Sequence, residues 1–164
     1  MSFSMVQRLL TVLILPFFGV LIGIGIFPGY LIFNAVENWS VSAGNDGLIH
    51  SLWFCIGLGM GYIAGGLGVV LVTGVFGAIF ALRGREGRFP LKSMITIRWG
   101  IALVFHRVAL LFLSTIVPSM FSTLYYKLMG LNMGKGVIIN SSRINDAPMI
   151  TLGDGVVVGG DATI

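Results

Sequence analysis

Charge is the scarcest thing in this chain. Only 10% of its 164 residues are Asp, Glu, Lys or Arg, while 56% are apolar. With a mean hydropathy of +0.98, the chain lacks the polar surface that a water-soluble domain needs, and the expected class is an integral membrane protein. Cysteine is nearly absent too. The one thiol, Cys55, lies in an apolar run, which excludes a disulfide framework. Histidine stops at His106, so the C-terminal part offers no imidazole for acid–base chemistry or a metal. The net charge of +4 is small and unevenly placed, and no nucleic-acid partner is expected. The two cleanest apolar runs hold no charged pair, which removes support for an ion path through them.

What is present is long uncharged sequence. Residues 9–36 and 48–82 are free of Asp, Glu, Lys and Arg, and each exceeds the roughly 20 residues needed to cross a bilayer. The first lacks a signal-peptide cleavage pattern and reads as a retained span. Pro16 and Pro28 are expected to kink or end its helix. Residues 37–46 (ENWSVSAGND) read as the turn of a transmembrane hairpin over 1–82. Asn38-Trp39-Ser40 matches a glycosylation acceptor, a pattern common by chance. Trp39 and Trp53 suit an interfacial belt. Gly57, Gly61 and Gly65 recur every fourth position, with Gly68 one turn on, and Gly19/Gly23 and Gly25/Gly29 repeat the spacing. Small residues in such rows let helices approach closely, either within the hairpin or in a homo-oligomer.

Five of the ten basic residues, Arg83, Arg85, Arg88, Lys92 and Arg98, fall within 83–98. Such a connector marks the cytoplasmic side of an inner membrane, and Arg8 assigns the N-terminus to the same side. Residues 99–126 allow two readings, a third span or a helix lying in the interface. His106 and Arg107 interrupt its apolar run, and a charge deep in a span is costly. Pro118 should end that helix, Gly130 should cap the next, and Tyr125-Tyr126-Lys127 resembles an interfacial anchor.

The last stretch has a period. Aliphatic or Met residues return every six positions at Met133 and Ile139, and again at Leu152, Val158 and Ile164, with Gly following at 134, 153 and 159. These five residues are the expected inward positions of the first rungs of a parallel β-helix over 127–164, with the glycines at its corners. Residues 145–151 break the period. An antiparallel hairpin on Asp154-Gly155 is the competing fold. Asp154 and Asp161 stand at different offsets from the inward residue, which argues against a carboxylate pair, and no metal site is expected. Asn140, Ser141, Ser142 and Arg143 are candidate substrate contacts.

The segments YYKLMGLNMGKGVIIN and MITLGDGVVVGGDATI resemble the opening of the left-handed β-helix of hexapeptide-repeat acyltransferases. An apolar helix just before YYKLMG is similar to the membrane-embedded C-terminal region of nonribosomal peptide synthetases of the poly-lysine-synthetase type. The resemblance implies α-helical membrane elements followed by a left-handed parallel β-helix, transfer of acyl or aminoacyl groups, and an acyl-CoA or carrier-bound donor. It implies cytoplasmic modules and favours the in-plane reading of 99–117. In that family a catalytic His stands in later coils, so this chain is expected to be a fragment, to stack against further coils of the same protein, and to hold no catalytic residue or cofactor. The rival reading is a non-catalytic membrane scaffold.

Overall fold

The computed structural model describes residues 3–81, 87–91 and 93–164. In order, these form helices α1 (Phe3–Ser42), α2 (Gly47–Phe80), α3 (Met94–Ile116) and α4 (Met120–Leu128), then strands β1 (Asn132–Met133), β2 (Ile138–Ile139), β3 (Thr151–Leu152) and β4 (Val157–Val158), with a 3-10 turn at Ala147–Met149. Three helical stretches are long and apolar enough to cross a membrane: Ile14–Ser42, Gly47–Phe80 and Met94–Ile116. The chain is a membrane protein on that ground. It divides into two compact units, Met1–Val69 and Val70–Ile164. Arg83, Arg85 and Lys92 lie outside the described residues; Arg88 is exposed.

The first unit is a helical hairpin. α1 runs unbroken through Pro16 and Pro28, so neither proline ends it. Each proline removes one backbone donor, but in an otherwise self-bonded apolar helix the remaining ladder carries the chain on. α1 also continues through Glu37 to Ser42, residues expected to be loop, so the turn is only residues 43–46. Glu37 and Ser40 reach His50 across that turn. Two glycines with positive φ, Gly44 at 72° and Gly47 at 50°, let the chain reverse.

The helices of the hairpin meet backbone to backbone. A methyl group added at Gly29 would strike the Gly61 carbonyl and approach the Gly65 nitrogen at 2.8 Å; one added at Gly25 would come within 2.6 Å of the Val69 Cα. A methyl added at Gly61 would approach the Gly29 oxygen at 2.9 Å, and one at Gly68 would strike that of Gly25. Gly57 packs on the side chains of Phe33 and Val36, while Gly19 and Gly23 meet nothing within 4 Å. The close approach therefore belongs to Gly25 and Gly29 on α1 and to the Gly57-to-Gly68 row on α2.

The second unit is built on α3. Ala102, Phe105, His106, Ala109 and Leu113 make its buried stripe, three or four residues apart as one face of a helix requires. Phe105 stacks on Phe76 and Phe80 at the end of α2, ring centres 6.1 and 5.8 Å away. Arg98 donates to the Ile79 carbonyl at 3.0 Å, answering one of the unpaired carbonyls of the last turn of α2. Ser93 caps α3 by accepting from the Thr96 N–H at 3.2 Å. Pro118 separates α3 from α4, which Ser119 and Ser122 start with a reciprocal capping box. α4 ends in a Schellman motif. The Gly130 N–H reaches the Lys127 carbonyl and the Leu131 N–H that of Tyr126, with Gly130 at φ 98°.

Beyond α4 the chain winds on itself. β1 pairs with β3 and β2 with β4, both parallel, with Asn132 opposite Thr151 and Ile138 opposite Val157, nineteen positions apart in each case. Parallel pairing excludes the hairpin on Asp154-Gly155. Outside the strands, the Asn145 N–H donates to the Ile164 carbonyl at 2.8 Å and the Ile164 N–H to that of Arg143 at 3.1 Å. These short pairs are all the sheet structure among the described residues. Within each pair the first residue faces out and the second in, as strand alternation demands. Ile139 and Val158 are buried, Met133 and Leu152 half-buried, and Ile164 is 45% exposed.

The corners are not where the period placed them. Gly134, Gly153 and Gly159 have ordinary φ; the left-handed positions are Gly136 (68°), Gly155 (69°) and Asp161 (59°). Gly134 is needed for room instead. A methyl there would meet the Asp154 carboxylate and approach its nitrogen at 2.6 Å. The break at 145–151 is a real turn, with Asp146 left-handed at φ 51° and Pro148 inside the 3-10 turn. One core joins the parts: Ala102, Ala109 and Leu113 of α3, Tyr125 and Tyr126 of α4, and Ile139, Ile144 and Ala147 of the winding segment.

Candidate functional site

The strongest concentration of chemistry lies where α3, α4 and the 146–149 turn meet. His106 reaches this point because it belongs to the buried stripe of α3, three residues before Ala109 and one after Phe105. Its Nδ1 is 2.9 Å from the Tyr125 hydroxyl, and the two rings stack with centres 5.9 Å apart. Tyr125 in turn packs edge-on against Tyr126 at 5.4 Å. Tyr125 and Tyr126 are both fully buried, so the expected interfacial anchor is a core element, and of that trio only Lys127 is exposed. Burial, reinforced by the neighbouring Tyr126, pushes the Tyr125 phenol well above its ordinary value. Burial does the same to Tyr126.

Beside His106 opens a pocket of about 20 Å³, with Trp99 and Met149 among its lining residues. The Trp99 indole Nε1–H donates to the Asp146 carboxylate at 2.6 Å, tying the first turns of α3 to the 146–149 turn. Neither Trp99 nor Asp146 carried a sequence signal for this bond, which spans forty-seven positions. The only local hint is that Asp tolerates the left-handed backbone that Asp146 adopts.

The sequence candidates in the winding segment are taken up by its own architecture. Ser141 Oγ donates to the Ala162 carbonyl at 2.7 Å and accepts from the Arg143 N–H at 3.0 Å. Asp154 accepts the Lys135 N–H at 2.6 Å. Asp161 lies 3.7 Å from the Arg143 guanidinium in an exposed pair, worth little energetically. Asn140 contributes its backbone N–H to the Val158 carbonyl. No group of metal-binding side chains occurs among the described residues. Lys127 and Lys135 flank a wider groove of about 510 Å³ that also includes Met133, Val137 and Asp154.

A second polar cluster sits at the turn of the first unit. Ser40 Oγ is 3.3 Å from His50 Nδ1, and His50 Nε2 is 3.2 Å from Glu37. The order serine–histidine–carboxylate invites a nucleophilic reading. Ser40 is fully buried, however, so no substrate can reach its oxygen, and the cluster closes the polar end of the hairpin. Burial of Ser40 inside α1 also disfavours Asn38-Trp39-Ser40 as a glycosylation acceptor. The edge-on contact of Trp39 and Trp53, ring centres 4.6 Å apart, lies at the same end. Comparison of the chain with protein-family models, curated proteins and solved structures yields no match.

Proposed function

We propose that this chain is a membrane-anchored acyltransferase-like module, in which apolar helices hold the start of a left-handed β-helix at the cytoplasmic face of an inner membrane. The complete protein would move acyl or aminoacyl groups from acyl-CoA or a carrier-bound donor. The observation that carries the reading is the common nineteen-residue offset of the pairs at Asn132/Thr151 and Ile138/Val157, followed at one residue more by Ile164, which bonds to both Arg143 and Asn145. Backbone contacts at nearly the same offset on three successive sides are what a triangular solenoid coil requires. Inward Ile139 and Val158 stand opposite each other in the parallel register, one residue beyond the eighteen of three unbroken hexapeptides. Further coils of the same protein would continue the stack, and the peptide-synthetase version would add adenylation or carrier domains in the same gene.

The in-plane placement of α3 belongs to this reading. Its buried face shares a core with the winding segment from Ala102 to Leu113. A crossing α3 would draw the charged Arg143 and Asp146 toward hydrocarbon depth, where a charge costs roughly 3 kcal/mol or more. Lying in the interface, α3 turns Met94, Ile97 and Leu111, all exposed, toward acyl chains, and Arg107, one turn before Leu111 on the same face, snorkels back to headgroups. The scaffold reading keeps less support, because Gly25, Gly29, Gly61 and Gly68 are spent inside the hairpin and do not form a free face for a partner.

The test is direct. Membranes from cells producing the complete gene product are incubated with labelled acyl-CoA or acyl-loaded carrier protein and a panel of amines and alcohols. Label is expected in an acceptor. Absence of transfer from both donors would leave the scaffold reading in possession.

A further inference from the structure

His106 is 5% exposed, yet its Nε2 has no hydrogen-bond partner among the described residues. An unpaired nitrogen in such a place costs about 1–3 kcal/mol. This nitrogen belongs to a residue that lines the pocket under Trp99 and Met149.

The hydrogen bond at the other nitrogen fixes what Nε2 can do. The Tyr125 hydroxyl has one partner among the described residues, His106 Nδ1. A neutral ring protonated on Nδ1 would donate to the phenol oxygen and leave the buried phenol proton without an acceptor. One arrangement avoids this: the phenol donates to a bare Nδ1, and the neutral ring then carries its hydrogen on Nε2. Nε2–H is therefore a donor, and the pocket takes an acceptor atom.

The remaining lining selects the acceptor. Ala102, Leu103, Met129, Ile144 and Ala147 present apolar walls. Asp146, the other polar group there, already accepts the Trp99 N–H, and its charge disfavours a phosphate. At about 20 Å³ the pocket has room for a single polar atom, comparable with the space one water occupies. Met149 is 61% and Trp99 38% exposed, so an apolar chain can lie over them. We propose that His106 Nε2–H is the hydrogen-bond donor of a binding site for an acyl carbonyl oxygen, with the acyl chain running outward across Met149 and Trp99. The choice of an acyl ligand deepens the acyl-transfer reading; the donor assignment stands without it. The carbonyl has two sources, an ester of a bilayer lipid or an acyl donor, and both offer the same oxygen.

The chain contains only two histidines, so histidine-selective ¹⁵N labelling gives a spectrum of two rings, and His50→Gln identifies the other one. The full chain is reconstituted in vesicles of diester or of diether phosphatidylcholine. We expect a hydrogen on His106 Nε2 in both. Its proton signal should move downfield in diester vesicles if lipid is the source, or only when methyl decanoate is added to diether vesicles if a separate donor is. Met149→Trp should abolish the movement while preserving the tautomer, which also reports that the core has folded. A hydrogen found on Nδ1 alone, no movement with either ester, or an equal movement with decane or inorganic phosphate would each overturn the assignment. Failure of acyl transfer by the complete protein would leave this signal unaffected, so the two readings fail separately.

Discussion

Tyr125 shows how much one residue can organise. Its ring fills the core between α3 and the winding segment, and its hydroxyl holds His106. Tyr125→Phe keeps the ring and removes the oxygen, which should cost about 1 kcal/mol of stability and release the His106 ring to either tautomer. The phenol also sets a pH dependence. Its pKa is raised in the folded protein by burial. The unfolded phenol ionises near its ordinary value of 10.0, so above that pH the unfolded state binds fewer protons and stability falls as pH rises. The contribution is complete below about pH 10 and is lost progressively above it. Thermal melts in mild detergent across the alkaline range should show a shallower decline for Tyr125→Phe than for the parent chain. Equal slopes would remove the buried phenol from the account.

Among the elements, the hairpin is the part whose packing the sequence spelled out, and only in part. Four-residue spacing announced a flat glycine row, but the same spacing at Gly19 and Gly23 meets nothing within 4 Å. Periodicity marks a face without saying what covers it. Gly29→Ala forces a methyl against the backbone of α2 and should destabilise the hairpin by roughly 1–3 kcal/mol. Gly19→Ala should be neutral or stabilising by up to about 1 kcal/mol. Unfolding in mixed detergent separates the two, and equal effects would refute the backbone contact. Helix ends were legible where chemistry is local, as at Pro118 and Gly130. They were missed where it is not: α1 extends through Glu37 and Ser40, which pair with His50 on the other helix. Of the five positions the six-residue period marked as inward, Ile139 and Val158 are buried, Met133 and Leu152 half-buried and Ile164 exposed, and the period misplaced the corners, since Gly136 and Gly155 turn the chain while Gly134 makes room for Asp154. The site itself was the least legible part. His106 stood out as a lone imidazole, but Tyr125 lies nineteen residues away beyond Pro118, and only the folded core brings them together.

At the scale of the whole molecule, the open matter is the path of the chain through the bilayer. Length and composition admit three crossings, while the charged residues of the winding segment that packs on α3 favour its lying in the interface. A reporter fused after Gly155 should stay in the cytoplasm; modification from the opposite side would establish the third crossing and exclude cytosolic acyl donors. The winding segment adds a mechanical consequence. Its two turns are joined by small sets of bonds, at Asn132–Ile150, Gly134–Leu152 and Lys135–Gly155, at Ile138–Val156 with Asn140–Val158, and at Arg143–Ile164 with Asn145–Ile164. A load applied at Ile164 falls on the last set alone until it gives way, then on the one before. The segment would therefore peel side by side rather than shear as a block, and tension would be spent in the coil before it reached the helices in the membrane.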